Sequence, residues 1–427
     1  MSRGPYRIDG MKILHTSDWH IGRTLHGADL SAAHDLFFQD LEQIIKAEEV
    51  SVLLVSGDIL DRAVPSTQSL LQLERALESL SHLCPVVIAP GNHDSAARLG
   101  FLSSQLRDRV QIIARDNRVG RAVEVTDKNE TVLLYPLPYL DPDMWREVLA
   151  DELGSVLPPA EDEGEGDQLL RLPRSHEAVM AAALRRVGRD LDERNISAQD
   201  EQRPPVIVMA HAFITGGAAS DSERDISVGG VDSIPAAVML SLGNPTGLPD
   251  LRLSYVALGH LHRPQIVADQ PKLRYCGSPI AFSFSEAGQK KSVLLLETDG
   301  PSISAREVEL SVWREIYRLS GAMNEVMSHQ NDPQIRDAFV EVTVTDTVRP
   351  ESFHQRIKAS YPHALVIRHL AERPALPSHA PASTQATRVQ DVLVSFLADM
   401  KGSDPTEGEV KVLLDAYDSV RSERNSG

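Results

Sequence analysis

From Met11 onward, short apolar runs alternate with stretches in which apolar residues recur every three or four positions. Ile13-Leu14 and the runs 52–55, 86–89, 132–135, 206–210, 255–258 and 293–296 are nearly unbroken in apolar character, as expected for strands buried on both faces. Between them, Leu30, Phe37, Leu41, Ile44 and Ile45, and then Leu70, Leu73, Leu77 and Leu80 after Pro65, fall at helical spacing. Each set would lay one apolar stripe on a sheet. The pattern predicts an α/β chain with helices flanking one or more central sheets.

The rhythm lapses in two places. Between residues 151 and 173 the period disappears, and Glu161, Asp162, Glu163, Glu165 and Asp167 sit among glycines and prolines, which reads as an acidic flexible loop. After residue 310 the character changes. Residues 339–345 place Val340, Val342 and Val344 on one face of a strand, 351–359 fit a short helix and 365–367 another strand, so 311–370 reads as a small α+β domain. Residues 371–387, with Pro374, Pro377 and Pro381 among Ala and Ser, read as a linker. Residues 388–422 then form a helical pair: Val389, Val392, Leu393, Phe396, Leu397 and Met400 stripe the first helix. The second has Asp404 as N-cap, Pro405 at N1 and Glu407 at N3, followed by Val410, Leu413, Leu414 and Tyr417. Two short tethered helices bury little between themselves, so they either fold back on the body or dock on another protein. Residues 1–10 carry no period and read as a flexible extension ahead of a main domain over 11–310.

Length and composition limit the classes. A chain of 427 residues with 42% hydrophobic and 24% charged residues is ordinary globular material of two or three domains. No apolar run approaches the roughly 20 residues that cross a bilayer, and no secretory signal precedes the first strand, so the expectation is a soluble, cytoplasmic protein. Cys84 and Cys276 are too few and too far apart for a disulfide framework or a thiolate metal knuckle. A net charge of −18 argues, taken alone, against a basic nucleic-acid footprint. Local charge qualifies that, because residues 98–121 hold six arginines against Asp108 and Asp116. A solvated face and a DNA track explain this surplus equally well.

The chemistry lies where the metal-capable side chains fall. Asp18 and His20 follow the first apolar run, Asp58 the second, Asn92 and His93 the third, His211 the run 206–210, and His260 with His262 the run 255–258. The carboxyl ends of strands in an open α/β sheet share one edge, so these distant residues can converge in one crevice. Carboxylates, an amide oxygen and imidazoles without thiolate suit Mn, Fe or Zn. The number of ligands suggests two ions, and a dinuclear site with metals about 3.5–4 Å apart needs a bridging group, for which Asp58 after the flexible Gly57 is the candidate. A lone Asp-x-His or Gly-His-x-His would as readily be a capped turn; in combination at successive strand ends that reading weakens. His15, His26, His34 and His82 sit in helical or apolar surroundings and read as structural, and Trp19 as a packing anchor.

The strings Asp18-Trp19-His20-Ile21-Gly22, Ser56-Gly57-Asp58-Ile59-Leu60-Asp61, Gly91-Asn92-His93-Asp94 and Gly259-His260-Leu261-His262 resemble the motifs of the calcineurin-like metallophosphoesterases. Within that superfamily, residues 11–370 resemble the bacterial exonuclease subunits of double-strand-break repair, through the opening stretch 11–20, Gly277-Ser278-Pro279 and the small C-terminal domain. The resemblance implies two divalent ions, manganese foremost. It assigns one to Asp18, His20, Asp58 and His262, and the other to Asp58, Asn92, His211 and His260. It makes His93 the catalytic group acting on the scissile phosphate, oriented by Asp94, and places Asp61 behind the ligands or facing phosphate. It implies DNA as substrate, a homodimer through helices near 66–83 and 95–106, and a coiled-coil ATPase partner docked on the C-terminal helices. The chain itself has no Walker loop and is not expected to hydrolyse ATP. The resemblance leads to a manganese-dependent DNA nuclease acting on ends and hairpins. A phosphatase or cyclic-nucleotide phosphodiesterase would need a small closed pocket and no docking helices. A non-catalytic scaffold would not need a complete ligand set.

Overall fold

The computed structural model of the chain describes residues 10–101, 109–114, 118–155, 171–219, 223, 233–371, 392–394, 396–398 and 404–424. All seven apolar runs are strands, but they divide between two six-stranded sheets instead of forming one. In the first, Lys12–Thr16, Val52–Ser56, Val86–Ala89 and Val110–Ile112 run parallel, and Ser292–Asp299 and Ser302–Glu309 add an antiparallel edge. In the second, Glu130–Pro136, Val206–His211, Leu253–Gly259 and Gln270–Tyr275 run parallel between the antiparallel edge strands Val123–Asp127 and Gln265–Val267.

The sheets lie face to face. Ile13, Val52, Leu54 and Val87 of the first share a core with Leu134, Ile207, Met209 and Tyr255 of the second. Their outward neighbours Leu14, Leu53, Val55 and Ile88 pack under the helices Ser31–Glu48 and Thr67–Leu83, while Tyr135, Val208 and Val256 pack under His176–Glu193. Each strand is therefore apolar on both sides, one side facing a helix and the other facing the second sheet. The helix-flanked α/β architecture expected from sequence is present, with two central sheets; an unbroken apolar run shows that both faces are covered but not by what.

Ser66 caps the Thr67–Leu83 helix through the N–H of Ser69 at 3.1 Å. Leu73, Ala76 and Leu80 face inward, while Leu70, counted in the expected stripe, is exposed. Beyond residue 310, Ile316–Gly321, Phe339–Val344 and Ala364–His369 form a parallel three-stranded sheet, with the helix Phe353–Ser360 against it. Ile316 and Phe339 pack against Leu25, Leu30, Phe282 and Phe284 of the main body. The last helix, Glu407–Arg424, starts two residues later than a cap at Asp404 would require. Thr406 and Glu409 form the reciprocal pair instead: the main-chain N–H of Thr406 donates to the Glu409 carboxylate at 2.7 Å, and Thr406 Oγ1 accepts from the N–H of Glu409 at 3.4 Å. Residues 1–9, most of the acidic stretch and residues 372–391 lie outside the described residues. No helix among the described residues is long and apolar enough to cross a membrane.

Candidate metal centre

Both sheets deliver the candidate ligands, from the carboxyl ends of their inner strands. Asp18 and His20 follow Lys12–Thr16, Asp58 follows Val52–Ser56, and Asn92 with His93 follows Val86–Ala89 in the first sheet. His211 ends Val206–His211, and His260 and His262 follow Leu253–Gly259 in the second. The site therefore spans the top of the sandwich. The first two loops are stitched together by the N–H groups of Asp18, His20 and Ile21, which donate to the carbonyls of Gly57, Asp58 and Ile59 at 2.9 Å each.

These turns are strained. Asp18, His20, Asp58 and His260 have φ of 53°, 44°, 50° and 110°, a region that side-chain-bearing residues rarely adopt. Such conformations persist where surrounding structure enforces them, and they cluster at functional sites. Gly57 has φ 90°, and a Cβ there would lie 2.1 Å from His211 Nδ1, so only glycine lets the Asp58 loop pass so close to the second sheet.

The ligand atoms gather tightly. Asp18, His20 and His262 form one group within 4.8 Å, Asp18, Asp58 and His211 another, and His20, Asp58 and His93 a third. Asp58 Oδ2 lies 3.6 Å from His20 Nε2 and 3.3 Å from His211 Nε2. His20 Nε2 and His262 Nε2 are 3.2 Å apart, and His211 Nε2 is 2.9 Å from Asn92 Oδ1. The His260 N–H donates to both Asp18 oxygens at 3.1 Å, and its ring stands edge-on to His211 with centroids 5.2 Å apart. All these residues are buried except Asn92 and His93, which are half-buried and mark the open side.

The donor set fits cations. His211 Nδ1 meets the Ser56 carbonyl at 2.9 Å, so that nitrogen carries the proton and Nε2 turns a lone pair toward two oxygens, Asn92 Oδ1 and Asp58 Oδ2. Such a cluster of acceptors is repulsive unless a positive charge sits in it. In the metal-free chain a second proton on His211 supplies that charge. Burial lowers its basicity, but the Asp58 carboxylate outweighs burial and raises its pKa to about 9. Burial works against ionisation of Asp58 as well, yet His211 and His20 hold it well below the ordinary carboxylate range. Burial pushes Asp18 up to about 7 and depresses His260 to about 3 and His20 and His262 well below their usual values, leaving neutral imidazoles. His260 Nδ1 is buried without a hydrogen-bond partner among the described residues. Mixed carboxylate, amide and imidazole donors without sulfur suit borderline divalent cations.

Three further placements matter. His93 Nδ1 donates to the main-chain carbonyl of Asp61 at 2.8 Å, and the His93 N–H donates to Asp58 Oδ1 at 2.9 Å. The carboxylate of Asp94, the residue expected to orient His93, accepts the N–H groups of Gly91, Ile59 and Leu60 at 2.8–3.1 Å and ties the Asn92 loop to the Asp58 loop. Burial raises it to about 6, with the charge of Asp58 acting in the same direction. Glu223, which sequence reasoning missed, is buried beside His262, accepting its N–H and lying 3.7 Å from Nδ1. By contrast, Trp19 packs edge-on against Phe37 and Phe38, and His34 bridges the carbonyls of Leu30 and Trp19 at 3.0 and 2.7 Å. His15 packs on Tyr255, His26 stacks on Phe284 and His82 meets the Glu78 carbonyl, so none of the four joins the cluster.

A two-sheet α/β sandwich with clustered Asp, Asn and His at its strand ends is the build of a metal-dependent phosphate-ester hydrolase. The chain belongs to the calcineurin-like phosphoesterase family, whose model matches residues 11–264. Residues 312–401 match a second family, described as the type 5 capsule protein repressor C-terminal domain. Among curated proteins, the chain is 29% identical over 426 residues to the SbcD polypeptide of nuclease SbcCD from Bacillus subtilis (strain 168), covering 97% of this chain and 99% of the relative. Two solved structures align at TM-scores too low to bear on function. One is the Plasmodium inner-membrane-complex anchor GAP50 (TM-score 0.37, 11% identity, 86% of this chain and 98% of that one). The other is a dimetal phosphatase from Danio rerio (0.33, 15%, 71% and 100%).

Proposed function

We propose that the chain is the nuclease subunit of an SbcCD-type repair complex, a double-strand exonuclease and single-strand and hairpin endonuclease that depends on two Mn²⁺ ions. The observation that carries this reading is the cluster of Asp18, His20, Asp58, His211 and His262, with Asn92 and His260 against His211, in a chain similar end to end to a nuclease subunit. In this reading Asp18, His20, Asp58 and His262 hold one ion, and Asp58, Asn92, His211 and His260 the other. Bound there, the ions polarise a phosphodiester and lower the pKa of the attacking water.

The chain's own groups do the rest. Because the Asp61 carbonyl can only accept, His93 carries a proton at Nδ1 and leaves Nε2 for the substrate; in the imidazolium form, with a second proton on Nε2, that atom would donate to a phosphate oxygen or pass its proton to the leaving oxygen. Asp94 positions rather than catalyses: by clamping the Asn92 and Asp58 loops it fixes the spacing between ligands and His93. The C-terminal helices are proposed to dock an SbcC-type coiled-coil ATPase, and the stretches near 66–83 and 95–106, of which 102–106 lie outside the described residues, to form a homodimer in the cytoplasm. Leu70 and Leu71 are exposed on the first of these, as are Val392, Phe396 and Val412 near the C-terminus, and such apolar surface favours a partner.

The test is cleavage of hairpin, single-stranded and blunt duplex DNA by the purified chain, with Mn²⁺, Mg²⁺ or chelator, with and without the partner ATPase and ATP. Mn²⁺-dependent phosphodiester cleavage of DNA is expected. Hydrolysis of phosphate monoesters or cyclic nucleotides without cleavage of DNA would contradict the reading.

A further inference from the structure

We propose that the buried Lys291–Glu286 ion pair positions His262, and so sets how tightly the chain holds one of its two cations; the inference rests on the metal-centre reading above. Lys291 is 5% exposed and Glu286 1%. An ammonium has three N–H donors, and three acceptors surround this one: the Glu286 carboxylate, Ser278 Oγ at 3.0 Å and the His262 main-chain carbonyl at 3.3 Å. The same carbonyl accepts the N–H of Ser278 at 3.1 Å. The other Glu286 oxygen accepts the N–H of Phe282 at 3.1 Å, and the Phe282 ring stands edge-on to His20 and His262 with centroids 5.3 and 5.6 Å away. One ammonium thus gathers the loop after Leu253–Gly259, the Ser278 turn and the 282–286 turn.

Stability alone does not account for this pair. Burying two charges costs their hydration, and apolar residues of similar volume commonly stabilise a core as well or better. An apolar pair cannot hold three acceptors in fixed directions, whereas a fully satisfied polar network can. A positive charge near a cation site is adverse unless neutralised, and Glu286 neutralises it. With Glu223 on the His262 N–H and Lys291 on its carbonyl, both main-chain groups of this ligand are anchored by buried charges. Groups that orient metal ligands in this way typically change metal affinity about 10–100-fold when removed.

The experiment is calorimetric titration of the metal-free, full-length chain with Mn²⁺, with thermal melts run in parallel. The variants are Lys291→Met and Lys291→Met/Glu286→Leu, the second removing the pair without stranding a buried charge. The expected result is one binding event weakened about 10–100-fold and the other little changed. Both events within about twofold of wild type, in either variant that melts cooperatively, would overturn the proposal. Should neither fold, Ser278→Ala keeps both charges paired and removes one acceptor. A few-fold weakening of the same event supports the proposal and no shift overturns it. A wild-type chain that binds no Mn²⁺ would instead overturn the metal-centre reading.

Discussion

At the scale of single residues, the centre trades backbone comfort for geometry. Four candidate ligands sit at positive φ, where the chain turns off the strand ends, and the close approach at Gly57 lets the second sheet take part. His93 differs from its neighbours in being half-buried and held by one carbonyl, as a group that meets substrate should be. His93→Ala is expected to lower DNA cleavage by at least about 100-fold while two ions remain bound, measured as turnover beside metal content. An unchanged rate would remove His93 from its role. The clustering of the candidate ligands was legible in sequence because each follows an apolar run, so strand and candidate are read together. Glu223, Lys291 and Phe282 were not, because their contacts depend on which distant loops meet. Adjacency of Asp94 to His93 in sequence likewise says nothing about which N–H groups its carboxylate reaches, those of Gly91, Ile59 and Leu60.

At the scale of elements, position along the chain was readable and assembly was not. The runs 52–55 and 206–210 identify strands, but Leu54 meeting Ile207 and Met209 across two sheets follows from packing that periodicity does not encode. The C-terminal helix shows the same limit, since Asp404-Pro405 and Thr406-x-x-Glu409 are both acceptable starts and reciprocal hydrogen bonding selects the second. Leu397 of the preceding helical turn and Leu413 and Ala416 of the last helix line one shallow groove, while Val392, Phe396 and Val412 are exposed. Deleting the residues after Ala371 is expected to abolish capture of the partner ATPase in a pull-down while sparing metal-dependent cleavage of single strands. Retained capture would place the docking surface elsewhere.

At the scale of the whole molecule, a charge of −18 is compatible with a polyanionic substrate only if charge is locally arranged. The arginine surplus of residues 98–121 contributes less than its count suggests. Arg121 is paired with Asp190 and Glu193, Arg109 donates to the Ser81 carbonyl, and Arg107 and Arg115 lie outside the described residues. At the centre itself, Arg23 and Arg62 flank Asp61 at 3.9 and 3.4 Å, and cations would offset Asp18 and Asp58 directly.

In the proposed reading, substrate binding and hydrolysis alike depend on a pair of cations. Anomalous diffraction from crystals soaked in Mn²⁺ tests for them most directly. Two peaks about 3.5–4 Å apart, with an Asp58 oxygen between them, are expected. A single peak, or peaks remote from Asp58, would contradict the two-cation centre.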